Sequence, residues 1–178
     1  DLSVVLNAIT VKTDEPTYLY QVLNIIGNEN IRDSFKKTVM YNEPDLTNIS
    51  WEFFQGEEIS GIVAGGNIRC FLKLAGTQYF PDLENRVLFL EGLGTTVESL
   101  ITHLTQLKQM GVFDKISGLL LGTFTNIEKI YNKNDIYSIV KDFIDKNLPV
   151  AKTSEVGHDI NSKMLTIGGR INIKKLSG

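Results

Sequence analysis

Cysteine is almost absent: Cys70 stands alone among 178 residues. A single thiol closes no internal disulfide, which excludes a small secreted domain held together by cross-links. Histidine is nearly as scarce. The two present, His103 and His158, lie far apart, and no spacing resembles a zinc site or a calcium loop, so no metal or other cofactor is expected. No apolar stretch is long enough to span a bilayer, so no membrane partner is expected. No cluster of basic residues offers a nucleic-acid surface, and the net charge is only −3. Internal repeats and low-complexity segments are lacking too. No signal-peptide pattern opens the sequence. The first residue is Asp1 rather than Met, so further residues upstream are expected, and the cytoplasm is the expected compartment.

What is there suffices for a packed core. Apolar residues make up 42% of the chain, which fits one full domain, or one domain with part of a second. Residues 2–12 are apolar and read as a short helix or strand. Residues 17–42 carry partial helical spacing, with Tyr20, Leu23 and Asn24 before a break at Gly27-Asn28 and Ile31 and Phe35 after it. Two short helices are expected there. Residues 42–49 hold Pro44, Asp45 and two asparagines, and read as a loop.

From Trp51 the pattern changes. Residues 51–53 and 58–64 read as two strands around the turn Gln55-Gly56-Glu57. Gly65-Gly66-Asn67 reads as a tight turn, with Asn67 capping a helix that ends at Gly76. Residues 86–90 read as a buried strand. Thr95 and Glu98 have capping-box spacing ahead of a helix with Leu100, Leu104 and Leu107 on one face, stopped by Gly111. Residues 116–124 form a second strand. Asn134 or Asp135 then opens a helix with Ile136, Ile139, Val140 and Phe143 facing inward, and residues 148–152 make a third strand. The chain closes with an expected hairpin, residues 164–167 and 171–173, around Gly168-Gly169. Strands alternating with helices imply parallel pairing, while the flanking segments look antiparallel. The expected fold class is therefore α/β, a mixed β-sheet with flanking helices.

Two side chains stand where open α/β sheets bind ligands, beyond the carboxyl ends of strands. Glu91 follows Val87-Leu88-Phe89-Leu90. His158 follows the third strand, in Gly157-His158-Asp159. A carboxylate beside a histidine fixes its tautomer in hydrolytic triads. Position alone leaves open a solvated acid and a surface histidine. His103 lies among the leucines of its helix and reads as a core or flank residue. Cys70, near a helix start where a thiol pKa can fall, reads better as a buried, inert side chain. Gly65-Gly66-Asn67 lacks the lysine of a phosphate loop, so anion binding there is the weaker reading. None of the ten serines has nucleophile-elbow context. Ser60 and Ser117 precede glycines inside expected strands, where a nucleophile would be buried.

The string GGNIRCFLKLAGTQYFPDLENRVLFLEGLGTT, continued by THLTQLKQMGVFDKISGLLLGTF, resembles the C-terminal domain of LD-carboxypeptidases. GHDINSKMLTIGG resembles that family's histidine motif, with Thr166 where proline is usual, a departure expected to alter the loop and keep the histidine. The resemblance is strongest over roughly residues 51–170, and it rests on several motifs in order. It implies a swivelling β/β/α domain over residues 43–178, with residues 1–42 as a remnant of the nucleophile domain and linker helices. It implies a Ser-Glu-His triad with Glu91 and His158 as the catalytic residues. DLSVVLNAI resembles the segment just after the family's serine, so Asp1 would lend its backbone N–H to the oxyanion hole and the serine would lie just upstream. The fragment alone would then be inactive. The implied substrate is a murein peptide, cleaved at its terminal D-alanine during cell-wall recycling, or a related amide. The alternatives are a microcin C immunity-like peptidase cleaving aminoacyl-nucleotide amides, with Trp51 as a stacking candidate, and a non-catalytic binding module. Family likeness also implies a homodimer. Val4, Val5, Leu6 and Ile9 are expected to form an exposed apolar patch.

Overall fold

The computed structural model describes residues 2–175, and of Lys133 the backbone only. The helices and strands named first are α1 (Ser3–Thr13), β1 (Thr17–Leu19), α2 (Glu29–Tyr41), β2 (Glu52–Gln55), β3 (Glu58–Asn67) and α3 (Ile68–Phe71). After them come β4 (Val87–Gly92), α4 (Val97–Gln109), β5 (Gly118–Phe124), α5 (Thr125–Glu128), α6 (Lys133–Val140), β6 (Val150–Lys152), β7 (Leu165–Ile167) and β8 (Arg170–Lys174). No helix among the described residues is long and apolar enough to cross a membrane.

β4 and β5 are buried at every residue, as strands covered on both faces must be. They pair in parallel, and β3 and β6 join them on either side in the same sense. β2 and β8 close the edges antiparallel, giving the order β2-β6-β5-β4-β3-β8. The fold is thus the expected mixed α/β sheet with flanking helices. Side chains alternate across it. Leu88, Leu90, Leu119 and Leu121 face the α4 and α6 side, with Leu100, Leu104, Leu107, Ile136 and Val140. Val87, Phe89 and Leu120 face the other side, with Val156, Leu165 and Ile167. Each fully buried leucine of α4 contributes about 1.5–3 kcal/mol of transfer free energy.

Several local expectations need correction. The strands around Gly56 are not partners: β2 pairs with β6, and β3 pairs with β4 and β8. Two residues separate β2, at one edge of the sheet, from β3, which pairs with the other edge strand β8, and they reach only about 10 Å, so the sheet must curl to bring the two together. Contact of Ser117 Oγ with the Ser60 carbonyl, 3.1 Å across the curl, fits this. Nor do residues 164–167 and 171–173 form a hairpin. Val63 exchanges backbone hydrogen bonds with Gly168 and Gly169 at 2.7 and 2.9 Å, and there the chain leaves β3. β7 crosses to pair with β1, which puts Thr166 opposite Tyr18 in a strand rather than in a loop. Residues 17–19 are accordingly a strand, while the two expected short helices stand on either side of Gly27-Asn28, a 3-10 helix at Val22–Ile25 and α2.

The α4 cap belongs to Thr96 and Ser99, one residue on from the expected pair. Thr95 is 7% exposed, and its hydroxyl is turned against Gly92, 2.2 Å from where a Cβ would stand. The α6 cap is Asn132, whose carboxamide oxygen takes the N–H groups of Asn134 and Asp135.

Gly65 and Gly66 do not turn the chain. They continue β3, with φ of 120° and 139°, and Asn67 then caps α3. Their task is close approach. α1 docks on β3 by hydrogen bonds rather than by an apolar stripe. Asn7 gives its Nδ2 to the Gly65 carbonyl at 2.7 Å and takes the Gly65 N–H at 3.1 Å, while Ser3 Oγ takes the Asn67 N–H at 2.9 Å. A Cβ on Gly66 would stand 2.4 Å from Ser3 Oγ. The polar face of α1 is therefore inside; Val5 and Ile9 are exposed, whereas Val4 and Leu6 are half-buried.

Candidate functional site

Glu91 continues the alternation of β4. It follows Val87 and Phe89 onto the face opposite α4 and is 1% exposed. The corresponding position of β5 is Gly122, where a Cβ would meet the Val156 carbonyl and the Phe89 ring at 2.6 Å and Glu91 Cβ at 3.0 Å. Its missing side chain lets the segment after β6 lie against the sheet. Thr123 gives its N–H to the Val156 carbonyl at 2.9 Å. Gly157 follows with φ of 154°, and a Cβ there would stand 1.8 Å from Thr123 Oγ1. Two glycines, one on each side of this contact, thus hold His158 over the end of β4.

The result is a hydrogen bond between His158 Nδ1 and Glu91 Oε2, 2.8 Å long. The His158 side chain is 20% exposed. This bond pushes the imidazole above its ordinary value of 6.5, outweighing burial, which acts the other way. A histidine held at Nδ1 by a carboxylate presents Nε2 as a proton acceptor. The other Glu91 oxygen, Oε1, is buried and has no hydrogen-bond partner among the described residues.

The pair lies between two clefts. One, of about 310 Å³, is lined by Glu91, Gly157 and His158 together with Leu2 and Leu6 of the α1 segment and Tyr20. The other, of about 510 Å³, is lined by His158, Asn67, Arg69, Thr95, Ser99 and His103 among others. Asn67 stands directly opposite Glu91 in the β3–β4 ladder.

Behind the site, Lys152 is 3% exposed and gives its ammonium to Glu128 Oε1 at 2.6 Å and to the Gly122 carbonyl at 2.8 Å. Glu128 Oε1 also takes the Phe124 N–H at 2.9 Å. This buried pair fixes the carboxyl end of β5, and with it the strand against which the His158 segment rests. Glu155 braces the same segment. Burial raises its pKa, but the bonds to Lys163 and to the Ser50 N–H prevail and leave it lowered.

The sequence-derived candidates therefore separate. Glu91 and His158 are brought together. His103, read as a flank or core residue, is half-buried and lines the larger cleft; burial, then Arg69, lowers its pKa. Cys70 is buried and lines neither cleft. Trp51 is half-buried, packs against the core on the Glu91 face of the sheet, and lines neither cleft. Ser60 is exposed rather than buried, because the first half of β3 has one face in solvent, and Ser117 is half-buried. Both lie at the far end of the sheet. Ser99 does line the larger cleft, but its hydroxyl serves the α4 cap, giving a hydrogen bond to the Thr96 carbonyl at 3.0 Å. Asp1, expected to supply an oxyanion N–H, lies outside the described residues. Reading the sequence did not single out Arg69, which lines the larger cleft, or the Lys152–Glu128 pair.

A curled mixed sheet with an acid–imidazole pair at its carboxyl ends defines an α/β domain built to hold a polar site there. The chain belongs to the LD-carboxypeptidase C-terminal domain family, whose model matches residues 60–173. Among curated relatives, a Treponema pallidum (strain Nichols) protein named "Putative carboxypeptidase" is 27% identical, over 97% of this chain and 59% of its own length. Microcin C7 self-immunity protein MccF of Escherichia coli is 25% identical, over 68% of this chain and 36% of its own length. Among solved structures, MccF in complex with glutamyl sulfamoyl guanosine superposes with a TM-score of 0.78 at 20% identity, over 97% of this chain and 62% of that one. Muramoyltetrapeptide carboxypeptidase from Oxalobacter formigenes gives 0.73 at 20% identity, over 100% of this chain and 63% of that one. These superpositions establish the fold. The chain spans about three-fifths of the length of the first of these relatives.

Proposed function

We propose that this chain supplies two members of the triad of a serine peptidase that releases the terminal D-alanine of a murein tetrapeptide. The observation that carries the reading is the 2.8 Å bond between Glu91 and His158 at the carboxyl ends of the sheet. The start of α1 adds support, since Leu2 lines the same cleft as that pair. In this reading the serine precedes Asp1, and the 178 residues alone release no D-alanine.

His158 Nε2 takes the proton of the serine hydroxyl as the oxygen attacks the carbonyl before D-alanine. Glu91 holds the imidazolium through Nδ1. The oxyanion is met by backbone N–H groups, to which Asp1 would contribute its own. His158 then returns the proton to the alanine nitrogen, which leaves. Water, deprotonated by the same histidine, frees the acyl group and restores the serine.

The aminoacyl-nucleotide reading rests on likeness to MccF; its stacking candidate Trp51 packs against the core, lines neither cleft and adds nothing to it. The binding-module reading gives no reason to bury a carboxyl group beside an imidazole. The proposal also takes the complete protein as a cytoplasmic homodimer, and sedimentation at monomer mass would remove that part.

The test is D-alanine release from murein tetrapeptide, followed by mass spectrometry, using the protein at the full length of its relatives. Release that Glu91→Gln lowers by about 10³–10⁴-fold is the expected result. A well-folded protein that releases nothing overturns the assignment.

A further inference from the structure

The larger cleft beside His158 has an unusual lining. It contains one arginine, two histidines and several hydroxyl groups, and no aspartate or glutamate. Arg69 projects from α3 into solvent, two residues beyond Asn67, and forms no hydrogen bond or ion pair with a described residue. It faces a cavity of about 510 Å³, large enough for an amino-acid residue and its solvent.

The surroundings favour a negative guest. His103, across α4, has its Nδ1 buried without a partner among the described residues. Its pKa is lowered by burial first and by Arg69 second, so the guanidinium field reaches across the cleft and the imidazole stays neutral at pH 7. The first turn of α4 is already closed by its own cap, since Thr96 and Ser99 exchange N–H and hydroxyl bonds. The attraction for an anion therefore comes from Arg69 and not from the helix end. The Glu91 carboxyl group lines the other cleft and does not compete.

We propose that Arg69 is a specificity-determining residue that takes the terminal carboxylate of the substrate's leaving amino acid in this cleft. The inference rests on the hydrolase reading for its substrate, but the anion site itself does not. A guanidinium meets a carboxylate through two parallel N–H donors, a geometry that no neutral amide can match. His158 and Arg69 line the same cleft, so a D-alanine residue bound there by its carboxylate would have its amide nitrogen in a cleft shared with the imidazole. Arg69 thereby makes the enzyme a carboxypeptidase rather than an internal peptidase.

Two readouts test this. In the complete protein, kcat/KM for a peptide ending in D-alanine is compared with that for the same peptide ending in D-alaninamide. The wild type should prefer the acid by about ten- to a hundredfold, the range for a charged hydrogen-bonded contact. Arg69→Met should lose that preference through a drop on the acid alone, and Arg69→Lys should recover part of it. Arg69→Met that still prefers the acid overturns the proposal. The second readout needs no turnover. N-acetyl-D-alanine, titrated into the chain, should shift the NMR resonances of Arg69 Nε–H and the Ser99 amide, whereas N-acetyl-D-alaninamide should not. Equal shifts with both, or none with either, overturn the anion site. Selective shifts in the chain, with no hydrolysis by the complete protein, would uphold the site and sink the hydrolase reading.

Discussion

At their amino ends the parallel strands are tied by ordinary backbone bonds: Asn85 to Lys115, Ser117 to Arg86, and Leu119 to Pro149, each 2.8–2.9 Å. At their carboxyl ends the same strands carry Asn67, Glu91, Gly122 and the buried Lys152, with an unpartnered carboxyl oxygen on Glu91. The first end is satisfied locally and leaves nothing over. The second collects groups that are costly to bury and removes side chains where the His158 segment must approach. In this molecule the core is built along the strands and over α4, and the candidate site is confined to one rim.

Substitutions at the two ends should therefore fail differently. Glu91→Gln keeps the shape of the rim but loses the charge on a buried hydrogen bond, so folding should change by no more than about 3 kcal/mol. Steady-state kinetics should lose about 10³–10⁴-fold in kcat, the usual effect of disabling a triad carboxylate. Equal activity would erase the contrast. Gly157→Ala adds a Cβ 1.8 Å from Thr123 Oγ1 at a left-handed φ of 154°, displacing His158. A shift of about 1 Å costs on the order of a hundredfold in kcat/KM, and NMR should register the broken contact with Glu91. Leu104→Ala, deep under the sheet, should instead cost about 2–5 kcal/mol in urea melts. Site geometry in the folded fraction should be unchanged. Ser117→Ala at the amino rim removes one partly exposed hydroxyl bond and should fall within about 1 kcal/mol, with full activity.

The same contrast explains what was legible. Strand and helix patterns at residues 86–152 are runs of leucine and valine with the right period, and β4, α4, β5 and α6 follow them. Glu91 and His158 could be marked because strand ends announce themselves where the apolar run stops. Pairing at the flanks was not legible. Whether β2 joins β3 or β6, and whether β7 joins β8 or β1, is decided by the curl of the whole sheet, and no window of sequence contains that. Gly65-Gly66 illustrates the limit. The residues look like a turn, yet they are a flat place on which α1 rests through Ser3 and Asn7. That helix shows no apolar stripe towards the sheet, so periodicity was silent. Arg69 was missed because an exposed arginine on a short helix carries no signal until a cavity is seen in front of it.

The most direct measurement is the pH dependence of D-alanine release by the complete protein, wild type beside Glu91→Gln. On the proposed mechanism neutral His158 is the base, and its pKa is raised by Glu91, so kcat/KM should climb with pH through a midpoint above the ordinary 6.5. The stability from the pair runs the opposite way. It is full below 6.5 and is lost as pH rises through the folded-state value. Residual activity of Glu91→Gln should show its midpoint moved down. An acid limb unmoved by the substitution, or release that survives it undiminished, would contradict the account.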